Sequence, residues 1–262
     1  MIKIKSITLI KLSRLLFLAL AVLSLSGCLY WLRAFQVYQQ LDEFDKHFEI
    51  AVADDFKLRF KHPVMYSEDF VSLSGLRPSS DSPRERGKRW RYWFLKVNEK
   101  NERVEPEIKF FFDLDFNRYD RLAAWSFSPL FLQIAPPEFL EVSLRSLAGA
   151  EINEGKKQLR GSLDHIDKIS ADLPKKAAVV RELGDPLEIK KTGKGEEVYL
   201  YHFLLESLEI KKGYEDRALS VVKLTFDSAT QELIKMSGRF AGLKISISYR
   251  KFLEKTEAQA AL

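Results

Sequence analysis

The chain has little of the chemistry that most enzymes and metalloproteins need. Cys28 is the single cysteine among 262 residues, so no disulfide can form within the chain. No serine lies in a Gly-x-Ser-x-Gly turn, and the glycines form no phosphate-binding loop. No two histidines have a metal-ligand spacing; they are His47, His62, His165 and His202. We therefore expect a non-catalytic protein with no catalytic residue, no metal site and no cofactor.

An excess of charge is also missing from most of the chain. There are 42 Lys and Arg residues against 37 Asp and Glu, a net charge of +5. Four of these positive charges lie in residues 1–27, where no acidic residue offsets them, so the remainder is near +1. A nucleic-acid partner is not expected, because binding phosphates requires a basic face. Hydrophobic residues make up 46% of the chain, which is enough for a packed core.

The N-terminal segment has the organisation of a secretory signal. A basic stretch without acidic residues precedes an apolar core from Leu15 to Leu25, and small residues then lead to Cys28. The motif Leu25-Ser-Gly-Cys28 resembles the lipobox of bacterial lipoproteins. The resemblance implies cleavage between Gly27 and Cys28, acyl chains on Cys28 and removal of residues 1–27. In enterobacterial lipoproteins an aspartate after the cysteine tends to retain the protein at the inner membrane. By this resemblance, Leu29 at that position implies the periplasmic face of the outer membrane, with the inner membrane as the alternative.

An uncleaved transmembrane helix is the competing interpretation of this segment. Leu15 to Leu32 is nearly continuous apolar sequence of about the minimum spanning length. Tyr30 and Trp31 would then lie in an interfacial aromatic belt, with Arg33 beyond it. Both interpretations place residues 33–262 outside the cytoplasm, because the positively charged N-terminal end of the segment stays on the cytoplasmic side.

Residues 31–48 form a pattern typical of an amphipathic helix. Apolar residues recur at steps of three and four; they are Trp31, Phe35, Tyr38, Leu41, Phe44 and Phe48. We expect this helix to pack on the folded domain. The alternative is a stalk that lies on the membrane surface, which the shortage of Lys and Arg beside the aromatic residues disfavours.

The rest of the chain predicts an α+β fold with antiparallel sheets, built from two related α-β-β-β units. In each unit a helix ending at Gly and Pro precedes an aromatic strand, a strand ending in Asp, a turn and a third strand. The predicted divisions are a signal peptide (1–27), an anchor with an amphipathic helix (28–50), a first unit (51–135), a connecting helix (136–156) and a second unit (157–255).

The second unit resembles the small lipoprotein domain of the SmpA/OmlA type, the BamE-like superfamily. Three features carry the resemblance: a helix end at Leu183-Gly-Asp-Pro186, an aromatic strand at Tyr199–Phe203 and a strand end at Leu224-Thr-Phe-Asp227. The resemblance implies a non-catalytic envelope module that binds a partner protein, with outer-membrane assembly as the best-known setting.

Two charged motifs have a functional and a plain structural interpretation. Asp113, Asp115, Asn117 and Asp120 are spaced like the start of a calcium loop, but Arg118 stands where such a loop needs glycine. We therefore expect a solvated strand end and turn. A dense basic stretch is either a solvated loop or a contact for anionic lipid headgroups; the candidate contact residues are Arg84, Arg86, Lys88, Arg89 and Arg91.

The function that the sequence favours is a membrane-anchored envelope lipoprotein that holds another envelope protein as a scaffold. Its expected partners are the membrane, through Cys28, and an unidentified envelope protein. The first alternative is a periplasmic carrier of a lipid-like ligand, whose aromatic strands would line a groove. An enzyme is the last alternative, and the missing catalytic motifs disfavour it.

Overall fold

The computed structural model describes residues 29–148, 150–153, 158–161 and 166–254. These residues form helices and a curled antiparallel sheet, which confirms the predicted α+β class with antiparallel strands. The predicted signal peptide, its cleavage position at Gly27 and the lipidation position Cys28 lie outside the described residues.

One large sheet organises the described part of the chain. Its strands are β1 (Phe48–Val52), β2 (Phe56–Phe60), β3 (Ser80–Arg84), β4 (Gly87–Val97), β5 (Lys109–Asn117), β6 (Leu122–Phe127), β9 (Glu188–Lys191), β10 (Glu196–Glu206), β11 (Leu219–Asp227), β12 (Leu233–Phe240) and β13 (Leu243–Ser248). The order across the sheet is β1-β2-β6-β5-β4-β10-β11-β12-β13, while β3 pairs with β4 and β9 with β10. Two further strands, β7 (Glu151–Asn153) and β8 (Gln158–Arg160), form a separate two-stranded sheet.

The pairing of β4 with β10 joins the two halves of the sheet at its centre. Leu95 lies opposite Leu204 in this antiparallel ladder. In both strands, buried aromatic residues alternate with more exposed residues. This pattern suits a sheet that has one face on the core. The buried series are Trp90, Tyr92 and Phe94 on β4 and Tyr199, Tyr201 and Phe203 on β10.

Six helices accompany the sheet in the described residues. They are α1 (Leu29–Gln40), α2 (Phe44–His47), α3 (Ser67–Ser74), α4 (Pro129–Leu132), α5 (Pro137–Arg145) and α6 (Lys176–Leu183). Helix α3 begins where the Asp69 carboxylate accepts the Tyr66 N–H, an interaction that pairs a free donor of the first turn. It ends at Gly75, whose φ of +78° is a backbone conformation that glycine adopts without steric cost.

The core is one continuous aromatic and aliphatic cluster shared by both halves. The Phe110 ring lies 4.9 Å from Phe203 and 5.7 Å from Phe240, both of the second half. Within the first half it stacks on Phe94 at 5.0 Å between ring centroids. The side chains of Phe94 and Phe203 are fully buried. The aromatic residues of the central strands therefore fill a closed core.

The amphipathic helix differs from the one that the periodicity predicts. Helix α1 stops at Gln40, a 3-10 turn and α2 follow, and Phe48 begins β1 because it pairs with Phe60. The predicted apolar face is therefore divided. Its C-terminal part is buried, whereas Trp31 and Phe35 are exposed.

Several strands form in segments for which the sequence predicts no strand. Residues 48–60 form β1 and β2, so the sheet begins before the predicted unit boundary at residue 51. The polar segment Ser80–Arg84 pairs with β4 as β3, although Pro83 and the serines are typical of a loop. Residues 158–160, near the predicted start of the second unit, form β8, which pairs with β7 outside the large sheet.

Candidate functional site

One side of helix α1 is fixed to the folded body by a charged pair. Arg33 donates two hydrogen bonds to Asp69, of which the Nε–Oδ2 distance is 2.7 Å. The Asp69 side chain is only 4% exposed, and the Arg33 guanidinium also lies 5.0 Å from the centroid of the Tyr66 ring. These hydrogen bonds raise the pKa of Arg33 above its usual value. Further along the helix, the Tyr38 hydroxyl donates to the Ala150 carbonyl at 2.6 Å, so α1 has a defined orientation on the body.

The other side of α1 presents apolar side chains to solvent. The side chains of Leu29, Trp31, Leu32 and Phe35 are 44–54% exposed, and no residue of α1 is fully buried. The described part of the helix starts at Leu29, the residue that follows Cys28 in the sequence, so this apolar side is close in sequence to the predicted lipid anchor. A cluster of exposed apolar residues on a monomer is typical of a surface that contacts a membrane or a protein.

The described part of the chain contains no helix with both the length and the apolar character needed to cross a bilayer.

The candidate lipid-contact residues separate into two groups. Arg84 and Arg86 lie at the tip of the β3–β4 hairpin, are exposed, and have no ion-pair partner among the described residues. The Lys88 Nζ atom lies 2.8 Å from Oδ1 of Asp120 and donates to the Ser67 hydroxyl at 2.9 Å. The hairpin tip therefore has two cations available for an external anion.

Arg89 and Arg91 are engaged in a ladder of charged pairs on the sheet face opposite the core. The arginines of β4 lie directly across from Asp115 and Asp113 of β5. Each pair is bidentate, with N–O distances of 2.6 and 2.9 Å for Arg89–Asp115 and 2.7 Å twice for Arg91–Asp113. Hydrogen bonds to Asp115 raise the pKa of Arg89. A bidentate geometry satisfies both partners, so these arginines have less capacity for a lipid headgroup than Arg84 and Arg86.

The same ladder explains the acidic motif that is spaced like a calcium loop. The carboxylates of Asp113 and Asp115 contact arginines, while Asn117 accepts the N–H groups of Tyr119 and Arg121 within the turn. Among the described residues, no group of three or more His, Cys, Asp or Glu side chains is arranged to hold a metal ion.

One cation from each half caps a helix of the other half. Lys96 of β4 donates to the carbonyls of Leu183 and Asp185 at the end of α6, at 2.7 and 2.6 Å. In the opposite direction, Arg217 donates to the Leu73 and Ser74 carbonyls at the end of α3, at 2.7 and 3.0 Å. A cation near a helix C-terminus pairs free carbonyls and complements the helix dipole. The two halves therefore stabilise each other's helices.

Two histidines that are distant in the sequence meet in the structure. His47 ends α2, His62 follows β2, and their Nδ1 atoms lie 3.1 Å apart. This pair could not be predicted from the sequence, because the hairpin β1–β2 that brings its two ends together has no clear sequence signal. Of the remaining histidines, His202 lies on β10, and His165 is outside the described residues.

No family model, no curated protein and no solved structure matches the chain.

Proposed function

We propose that the chain is a lipid-anchored envelope protein, acylated at Cys28, whose folded part acts as a non-catalytic binding module for another envelope protein. The setting that we propose is assembly or maintenance of the outer membrane, with the protein on the periplasmic face. The observation that carries this proposal is the exposed apolar side of α1, which is adjacent to Cys28 in the sequence and is held to the body through Arg33 and Asp69. Beside acyl chains, an apolar helix side of this kind adds buried apolar area to the attachment to a bilayer.

The folded part is, in this proposal, two related units. Helices α3 and α6 each have eight residues, and the glycines that follow them, Gly75 and Gly184, are 109 positions apart. Strands β4 and β10 each have 11 residues, and β5 and β11 each have nine. Both β5 and β11 shift register just before a phenylalanine, at Phe116 and Phe226. The matching lengths and irregularities support an internal duplication.

The two turns that follow these strands correspond in detail as well. Asn117 and Asp227 each accept two backbone N–H groups with their side chains. Asp120 and Gln231 each have a φ close to +60°. Each of these residues lies two positions before the strand that follows it, and a left-handed conformation is unusual for residues other than glycine, so it supports a common origin.

A binding module is favoured over a lipid carrier by the state of the aromatic strands. A carrier would need its aromatic side chains to line an accessible groove. Phe94, Phe110 and Phe203 are instead at most 1% exposed and pack on one another. A partner protein would therefore contact the opposite sheet face, the hairpin tip or the edge strand β13.

Photo-crosslinking in cells tests the proposal. Photoreactive residues replace Arg86 at the hairpin tip, Lys244 on β13 and Leu32 on α1, one at a time in the full chain. The account predicts that the first two positions capture the same envelope protein, that Leu32 captures lipid, and that Cys28→Ala abolishes the protein crosslinks. Lipid capture at all three positions, or protein crosslinks that are unchanged by Cys28→Ala, would contradict the proposal.

A further inference from the structure

The open end of the hairpin β1–β2 brings two imidazole rings together. His47 directly precedes β1, and His62 lies two residues after the end of β2. The Lys61 N–H donates to the His47 carbonyl at 2.8 Å, which extends the strand ladder to this end. The ring centroids are 5.0 Å apart, at an interplanar angle of 71°. The backbone pairing therefore fixes where the two side chains emerge.

The contact joins the Nδ1 atoms themselves, which lie 3.1 Å apart. Two imidazole nitrogens approach this closely either when one donates a proton to the other or when both face one cation. A single hydrogen bond between side chains that solvent reaches contributes little, because water competes for both partners. For bonds of about 2.05 Å to one zinc ion, a separation of 3.1 Å corresponds to an N–metal–N angle of about 98°. That angle suits two neighbouring ligands of one ion.

The surroundings leave room for an ion and for additional ligands. A shallow depression of about 300 Å³ lies beside the pair; its lining residues are Gln36, Gln39, Gln40, His47 and Val64. Gln40 donates through Nε2 to the His62 carbonyl at 3.0 Å, which holds the second histidine segment against α1. Amide oxygens and water are the ligands available for the remaining positions. Within the described ranges no third His, Cys, Asp or Glu joins the two histidines, so one side of the site is open to water.

We infer that His47 and His62 form a two-imidazole site for a borderline divalent transition-metal ion such as Zn²⁺, Ni²⁺ or Cu²⁺. Imidazole nitrogen is a preferred ligand of these ions, whereas Ca²⁺ and Mg²⁺ require sets of oxygen ligands. The bound ion connects the end of α2 to the end of β2, next to the glutamines of α1. It therefore stiffens the junction between α1 and the sheet.

Zinc titration of the purified, tag-free full chain in detergent tests the inference. The parent for the titration carries Cys28→Ala, because an unmodified thiol would itself bind zinc. The expected result is one ion per chain. His47→Asn and His62→Asn should each weaken binding by at least about tenfold, the lower end of what even an outer-shell change costs at a metal site. The matched control is His202→Asn, which removes a histidine of β10 and should leave the affinity unchanged.

Copper provides a second measurement that requires no histidine variant. The electron paramagnetic resonance spectrum of the parent with one equivalent of Cu²⁺ should show coupling to two imidazole nitrogens. Absence of saturable zinc binding would overturn the inference. So would equal weakening by His202→Asn, or a copper spectrum without imidazole coupling.

Discussion

Lys96 belongs to the first half of the sheet, yet its ammonium group pairs with carbonyls at the end of a helix of the second half. The residue is 6% exposed, and burial lowers the pKa of its side chain. Lys96→Met keeps the aliphatic stem and removes the donors, so the Leu183 and Asp185 carbonyls lose their partner. We expect the free energy of unfolding to fall by about 1–3 kcal/mol, the cost of leaving buried polar groups unpaired.

The measurement for Lys96 is urea denaturation beside a matched lysine change. Lys100→Met replaces an exposed lysine in the turn after β4 and should change the stability by less than about 0.5 kcal/mol. Equal effects of the two substitutions would mean that the cap on α6 does not contribute to stability.

The two carboxylate oxygens of Asp227 bind different partners, which allows a second prediction. Oδ1 accepts the N–H groups of Ala229 and Thr230, and Oδ2 pairs with Arg250 at 2.6 Å. The Thr230 N–H and then Arg250 hold the pKa of this carboxyl below its usual value. Stability from such a group is complete above the unfolded-state pKa of about 3.9 and is lost as the pH falls through the folded-state pKa.

Asp227→Asn keeps the turn acceptor and removes the charge, as Asn117 does in the corresponding turn of the first half. At neutral pH we expect this change to cost less than about 1 kcal/mol, typical of an exposed ion pair. Asp227→Ala also loses both turn hydrogen bonds and should cost about 1–3 kcal/mol. Below about pH 4, the Asn variant should lose stability less steeply than the parent. Parallel pH profiles of parent and Asn variant would contradict this assignment.

At the scale of elements, the role proposed for α1 is contact with the membrane through its exposed apolar side chains. Trp31 is 44% exposed there, whereas Trp93 is half-buried on the sheet. In vesicles with brominated acyl chains, we expect the acylated protein to lose part of its tryptophan emission to quenching. Trp31→Phe should abolish this quenching, because Trp31 lies on the side of α1 that we propose to face the membrane.

The matched control for this measurement is Trp93→Phe, which should leave the quenching intact. Quenching that persists without Trp31 would place another part of the chain at the bilayer, and the orientation proposed for α1 would be wrong.

How well each element could be predicted depends on whether its residues follow one period. Strands β4 and β10 follow from the alternation of aromatic residues, and α3 and α6 follow from their Gly stops. β3 could not be predicted, because the neighbouring strand supplies its pairing and its own residues are polar. The periodicity predicts one helix over residues 31–48, because its three- and four-residue steps continue through the 3-10 turn at Leu41–Glu43. In the structure Trp31 and Phe35 of the predicted apolar face are exposed.

The candidate sites also divide into those that the sequence could predict and those that it could not. The charged ladder could have been predicted, because Arg89-x-Arg91 and Asp113-x-Asp115 each place two charges on one face of neighbouring strands. The pair of His47 and His62 could not, since their approach depends on a hairpin between them with no clear sequence signal. The Arg33–Asp69 pair likewise depends on how α1 docks on α3, which periodicity does not determine.

At the scale of the whole molecule, the shared sheet and core predict a single cooperative unit. All four tryptophans lie between residues 31 and 125, so tryptophan fluorescence reports on the first half, whereas circular dichroism reports on both. Because Phe203 of the second half packs on Phe110 of the first, Phe203→Ala should destabilise both halves together, by about 3–5 kcal/mol. The two probes should give coincident urea transitions in the parent and in the variant. Separate transitions would mean that the halves are independent domains.

The most direct test of the account is the intact mass of the protein extracted from membranes, beside that of Cys28→Ala. The account predicts a chain that lacks residues 1–27 and carries acyl chains on Cys28, with both features lost in the variant. An uncut chain of 262 residues, retained in the inner membrane with or without Cys28, would contradict the lipid anchor. It would also remove the basis for placing α1 against the outer membrane.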